Sequence, residues 1–342
     1  MGLVRILLAI SVVLTHSTAW SSGGYFLGFR PIPGNYAVQG FFLISGFYME
    51  LIGSRYAKVP VRVFYLNRYS RIIVSYWIVL FTSIALAMFD PGNKDITFLH
   101  EQGTGVQRIV LGLSNGFVIG LDAIPLFSLN WLNGVVIPQG WSLGTELWFY
   151  LLVPLLWKAP TKWLWIIAAI SLGARVAVMA LQPDWPWYQR FFPAEIMFFI
   201  LGMIACRHGR TTVYRPIHAY GALGVLVLFV SYIGWLVPAN APLSVASSIK
   251  SVLLGALFFV LVPPVFQISR NSSLDRFMGE YSYPIYLWHW SLMYFIEPAN
   301  RLWHGGFLLL LCIAASTPIV LLVEIPMERW RNARLKAATF VV

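Results

Sequence analysis

The chain has 342 residues, of which 58% are hydrophobic and only 11% charged, and it carries a formal net charge of +11. A soluble domain holds about 25% charged residues, so this composition excludes an ordinary soluble fold. It also excludes a nucleic-acid reading of the positive charge, because the Lys and Arg residues sit mainly in the connections between long apolar runs.

Those runs are about 17–22 residues long, enough to cross a hydrocarbon core of about 30 Å as helix. In lipid each backbone N–H and C=O is bonded within its own segment, which makes helix the default. A membrane barrel would instead require shorter stretches of alternating polarity. Ten spans are predicted, at 3–20, 36–53, 72–89, 141–157, 163–181, 191–205, 217–236, 244–266, 280–297 and 306–324. The expected fold class is an all-α polytopic membrane protein, a single domain over 1–342 with a short basic tail at 325–342. Basic residues gather in every second connection: Arg55, Lys58 and Arg62, then Lys158 and Lys162, then Arg207, Arg210 and Arg215, then Arg270 and Arg276. That bias predicts both termini inside. Trp20, Trp141, Trp157, Trp163, Tyr281 and Trp303 fall near span ends, as an interfacial belt would. Met1–Ala19 has the outline of a secretory signal, but its removal would spoil the charge alternation, so it is read as a retained span.

The first span carries Arg5 and His16. Eleven residues of helix make about three full turns, so both side chains leave one face, about 16 Å apart along the axis. Arg5 serves as a topology anchor or as a functional cation, and His16 as an interhelical hydrogen-bonding group or a functional base; ionisable groups within spans favour function. The second span holds Gly40-Phe41-Phe42-Leu43-Ile44-Ser45-Gly46-Phe47, whose small residues predict close helix packing, with Ser45 a supporting polar group. Arg68-Tyr69-Ser70-Arg71 closes a basic inner loop, which topology alone explains, although arginine also suits phosphate.

Residues 90–140 form the longest break, on the outer side. Within it, 106–121 is too short to span and is expected to be re-entrant or interfacial. Gly140-Trp141-Ser142-Leu143-Gly144 matches the G-x-S-x-G nucleophile elbow only formally, since that motif needs a strand–turn–helix. Glu146 follows, at a depth close to that of His16. The two form either a base with its orienting partner, or separate groups with Glu146 paired to Arg175 or Lys250. Glu195 lies in the same layer, a further candidate for pairing. Tyr281–Trp290 opens the ninth span and puts His289 near mid-membrane, among aromatic residues. Cys206 and Cys312 are far apart and show no metal-ligand spacing, so no metal is expected.

Taken in order, RILLAISVVLTH (5–16), GFFLISGF (40–47), RYSRI (68–72), GWSLGTELWFY (140–150) and YSYPIYLWHW (281–290) resemble the bacterial integral-membrane acyltransferase family 3, over nearly the whole chain. Two positions depart from the family pattern. Gln39 stands where Asp is frequent, and Asn67 where a further Arg is frequent. The resemblance implies a multi-pass enzyme of the bacterial cytoplasmic membrane. It would move an acyl group, most often acetyl, from acyl-CoA to a hydroxyl of an envelope or secreted glycan, with acyl-CoA as co-substrate and no resident cofactor. On this reading His16 is the general base and Glu146 its partner, with Arg5, Arg68 and Arg71 at the donor. Ser45, Trp141, Ser142, Glu195 and His289 are supporting candidates. A different class, a transporter or flippase for a glycan or amphiphile, draws on the intramembrane charge layer alone.

Overall fold

The computed structural model describes residues 1–17, 32–89, 104–181, 186–232, 243–293 and 304–340. The predicted outer-segment residues 90–103, the span ends at 18–20, 233–236 and 294–297, and the belt residues Trp20 and Trp303 lie outside them. Among the described residues every regular element is helical.

Each of the ten apolar stretches coincides with a helix. These are α1 (Gly2–His16), α2 (Gly34–Tyr56), α3 (Val61–Met88), α6 (Trp141–Leu156), α7 (Thr161–Leu181), α9 (Phe192–Thr211), α10 (Pro216–Tyr232), α11 (Leu243–Ser269), α12 (Ser273–Met293) and α13 (His304–Ile319). Short elements come between them: α4 (Gly105–Phe117) and α5 (Ile124–Phe127) before α6, and α8 (Trp187–Arg190) before α9. A π turn (Val320–Glu324) joins α13 to α14 (Ile325–Phe340). Six stretches of helix are long and apolar enough to cross a membrane by length and composition, and Gly2–His16 and Pro216–Phe229 are shorter apolar helices. Phe81, Ile170, Leu181, Val227 and Leu310 stand exposed on the outer faces of the bundle. Exposed apolar belts of this kind belong against lipid, and the chain is a membrane protein.

Two expectations change. Arg68 and Arg71 do not close a loop. Pro60 starts α3 at Val61, so both arginines are on helix and their side chains are fixed by its rotation. The basic tail is not a free end either. It is helical to Phe340 and packs on α3.

Glycines set the two closest crossings. A Cβ at Gly46 would lie 1.9 Å from the Phe199 carbonyl oxygen, and one at Gly202 would lie 1.9 Å from that of Leu43. So α2 and α9 touch backbone to backbone, as the small residues of GFFLISGF predict. Gly2 meets Gly279 in the same way, holding α1 against α12. The N-terminus of α1 is tied there by Asp275, which accepts from the backbone N–H of Gly2 (2.8 Å) and Leu3 (2.9 Å) and from the Met1 ammonium (2.5 Å).

The segment before α6 turns back into the bundle. Trp77 Nε1 donates to the Gly116 carbonyl (2.6 Å), so the end of α4 lies beside the middle of α3. The chain reverses at Val118, fully buried with φ of 69°, a conformation that costs a β-branched residue about 1–2 kcal/mol. Asn115 then organises the return: its Nδ2 donates to the carbonyls of Leu111 and Gly134, and its Oδ1 accepts from the Val136 N–H. Gln139 Nε2 donates to the Leu287 carbonyl (2.7 Å) on α12. Irregular backbone at this depth is bonded to protein, the condition a re-entrant segment has to meet.

Candidate functional site

A cavity of about 530 Å³ opens between α1, α2, α3, α6, α12 and α14. Seven arginines and four carboxylates line it, an excess of three positive side chains, and one of the carboxylates, Asp275, is paired with the Met1 ammonium. Arg5, Arg68 and Arg71 are among them, so the structure brings the three predicted donor arginines to one space. They reach it from different elements, α1 and two successive turns of α3. Arg68 Nε is buried with no hydrogen-bond partner. Such a donor costs free energy unless a ligand satisfies it.

Glu146, Ser45 and Ser142 lie deeper in the same cavity. Glu146 Oε1 accepts from Ser45 Oγ (2.5 Å) and from Tyr150 OH (2.5 Å), which leaves α6 one turn below Glu146. The Glu146 carboxylate is therefore bonded to hydroxyls and not to His16, and the expected base–carboxylate pair is not formed. Ser142 Oγ donates to the Gln139 carbonyl (3.1 Å) and lies 2.7 Å from Tyr286 OH, which donates to the same carbonyl (2.9 Å). Trp141 is held by the edge of Phe42 and by the Arg190 guanidinium, 5.2 Å above its ring.

His16 stands beyond the cavity's deep end. Its ring stacks on that of His289 with centroids 5.1 Å apart, and the edge of Trp290 lies 5.3 Å away. His289 is fully buried, whereas His16 is exposed at the end of α1. His289 Nδ1 lies 2.6 Å from the Tyr286 carbonyl and His16 Nδ1 lies 3.0 Å from that of Val12. A carbonyl can only accept, so Nδ1 carries a hydrogen in both rings, and in the neutral form Nε2 keeps its lone pair. Both imidazoles are thus set as bases at Nε2. The Tyr286 ring, on the cavity wall, is 5.7 Å from that of His289. Two rings, Tyr286 and His289, separate the cavity from His16.

Glu195 is not part of this site. It is fully buried and paired with Arg175, and both its oxygens are within 3.4 Å of Gln39 Nε2. Arg175 also donates to Ser248 Oγ (3.3 Å). The pair joins α2, α7, α9 and α11 inside the bundle. Lys250 and Glu146 stand outside it.

Tyr150 and Tyr286 are site residues that sequence reasoning missed. Spacing carried a signal for both: Tyr150 is one helical turn after Glu146, and Tyr286 one turn before His289.

The profile of an acyltransferase domain, the defining domain of acyltransferase family 3, matches residues 1–325. Over 265 residues the chain is 27% identical to the exopolysaccharide production protein ExoZ of Rhizobium meliloti (strain 1021), an alignment covering 74% of each protein. No solved structure matches the chain.

Proposed function

The chain belongs to acyltransferase family 3, and from that premise we propose that it is a single-domain O-acetyltransferase of the bacterial cytoplasmic membrane, moving an acetyl group from acetyl-CoA to a hydroxyl of an envelope or secreted glycan. The observation that carries this reading is the arginine-rich cavity, whose unpartnered Arg68 Nε suits an anionic donor. With ten spans and both termini inside, Arg5, Arg68 and Arg71 face the compartment that supplies acyl-CoA. The name of the ExoZ relative refers to exopolysaccharide, which supports a polysaccharide acceptor.

In this mechanism the donor's phosphates rest on the arginines and its pantetheine arm runs toward Ser142 and Tyr286. The acceptor arrives at His16. The hydroxyl oxygen attacks the thioester carbon while His16 Nε2 takes the hydroxyl proton. The C–S bond then breaks, and the proton passes to the sulfur, releasing CoA thiol and the ester. General-base help of this kind contributes about 10²–10⁴ in rate. Tyr286 and His289 stand between the cavity and His16, so this step requires both rings to turn aside and bring the thioester carbon against the acceptor hydroxyl. Two members of the charge layer that favoured a transporter, Arg175 and Glu195, are paired with each other, and Glu195 is bonded to Gln39.

Purified protein with acetyl-CoA and a polysaccharide acceptor should release CoA thiol and gain ester on the acceptor. CoA binding without thiol release, under conditions where labelled glycan crosses a vesicle membrane, would replace this reading with the transport one.

A further inference from the structure

The tail helix α14 is part of the cavity. Glu328, Arg331 and Asn332 line it, opposite Arg68 and Arg71 on α3. The tail carries Arg329, Arg331, Arg334 and Lys336. Three of them behave as a surface helix predicts: Arg329 and Lys336 are exposed, and Arg334 lies over the Trp330 ring at 5.2 Å. Arg331 does not. It is 5% exposed, and its Nη2 is buried with no hydrogen-bond partner.

None of the ion pairs among the described residues engages Arg331, Arg68 or Arg71. Two carboxylates lie close enough for their charge to act on Arg71 and Arg331, Glu280 on the cavity wall and Glu324 of the adjoining π turn, which accepts from Ser75 Oγ (2.6 Å), but neither forms a salt bridge with them. Burying a guanidinium is costly unless it is paired and hydrogen-bonded. Here three of them face one space with buried donors left over on two, Arg68 and Arg331. The group that fits is a polyanion with several acceptor oxygens, which planar guanidinium forks hold in pairs.

We propose that α14 is the inner wall of the donor site and that Arg331 binds a phosphate of the acyl-CoA donor together with Arg68 and Arg71. This rests on the reading that the donor is acyl-CoA. It adds a ligand from an element that topology alone would leave as a solvated end.

The test is titration of CoA and of dephospho-CoA into purified full-length protein, wild type against R331M, R331K and R334A, with the melting temperature of each. Methionine keeps the packing of the arginine stem and removes its charge. R331M should bind CoA about ten-fold or more weakly at an unchanged melting temperature, R331K should recover part of the loss, and R334A should match wild type. A loss seen with both ligands assigns Arg331 to the diphosphate; a loss with CoA alone assigns it to the ribose phosphate. Wild-type CoA affinity in a folded R331M, or a loss that R331K does not recover, overturns the proposal. No CoA binding by the wild type overturns the donor reading itself, a result separable from either.

Discussion

The imidazole rings of His16 and His289 stack with centroids 5.1 Å apart and planes 24° from parallel. Their helices, α1 and α12, are fixed against each other at the far end by Gly2 and Gly279. The histidine pair and the Arg5 end of the cavity are therefore two ends of one rigid helix contact.

His16→Ala should abolish acyl transfer, by about 10²–10⁴ or more, with CoA affinity retained because His16 does not line the cavity. His289→Ala should lower turnover by less, since it removes the ring that His16 stacks against and leaves the base. Turnover of a CoA-binding His16→Ala protein within a few-fold of wild type would move the base to His289.

Arg68→Ala and Arg71→Ala should raise KM for acetyl-CoA. A lost charged hydrogen bond costs roughly 1.5–3 kcal/mol, or about ten- to hundred-fold. Because the contact is made equally in ground and transition states, kcat should stay near its original value. Steady-state kinetics on normally inserted variants decide it.

Glu146→Ala leaves Ser45 Oγ and Tyr150 OH without their acceptor, at up to about 1–3 kcal/mol each and less where water of the cavity replaces it. Glu146→Gln keeps an acceptor oxygen. Thermal unfolding in detergent should rank the wild type above Gln and Gln above Ala, and the activity of Glu146→Gln should exceed that of His16→Ala.

Gly46→Ala and Gly202→Ala each drive a methyl into a carbonyl of the facing helix and should destabilise the bundle by at least about 1–3 kcal/mol. Gly221→Ala meets nothing within 4 Å and should be neutral or stabilising by up to about 1 kcal/mol, the helix-propensity difference. Melting temperatures of the three variants separate packing from propensity.

Asp275 gives the pH dependence. Burial pushes its carboxyl up, but the N–H groups of Leu3 and Gly2 and the Met1 ammonium outweigh this and hold it below the ordinary carboxylate range. Its contribution to stability is complete above the unfolded value of about 3.9 and is lost as pH falls through the lower folded value. Asp275→Asn should therefore melt lower than wild type at pH 7, and the gap should begin to narrow below about pH 4 and close as pH falls through the lower folded value. An equal gap at both pH values would assign the effect to packing.

Hydropathy alone located the apolar helices, because lipid forces a long apolar run into helix whatever its neighbours. It misplaced Arg68 and Arg71, since charge marks where a span leaves the membrane and not where its helix begins. The cavity arginines were legible as residues, but the partner of Glu146 was not: depth along a helix says nothing about which neighbour shares its face. Gln39 is a departure the structure explains. An Asp there is one methylene shorter, so it would lose the hydrogen bond that Gln39 Nε2 gives Glu195 and add a second carboxylate nearby, where like charges disfavour each other. Arg331 was hidden because a basic tail after the last span has the same composition whether it is solvated or folded back.

The π turn at Val320–Glu324 also bears on the spacing of the chain's last segment. A π turn holds one residue more than the α turn it replaces, and Leu321 and Leu322 bulge outward there. Deleting either would restore α-helix while leaving Glu324 and Arg331 at their original bearings. Removing one residue from α14 between Pro326 and Trp330 has no slack to absorb it, and turns Arg331 by about 100° away from the cavity. Single deletions in this short segment are thus absorbed by the helix or passed on to the bearing of Arg331 according to which side of Glu324 they fall.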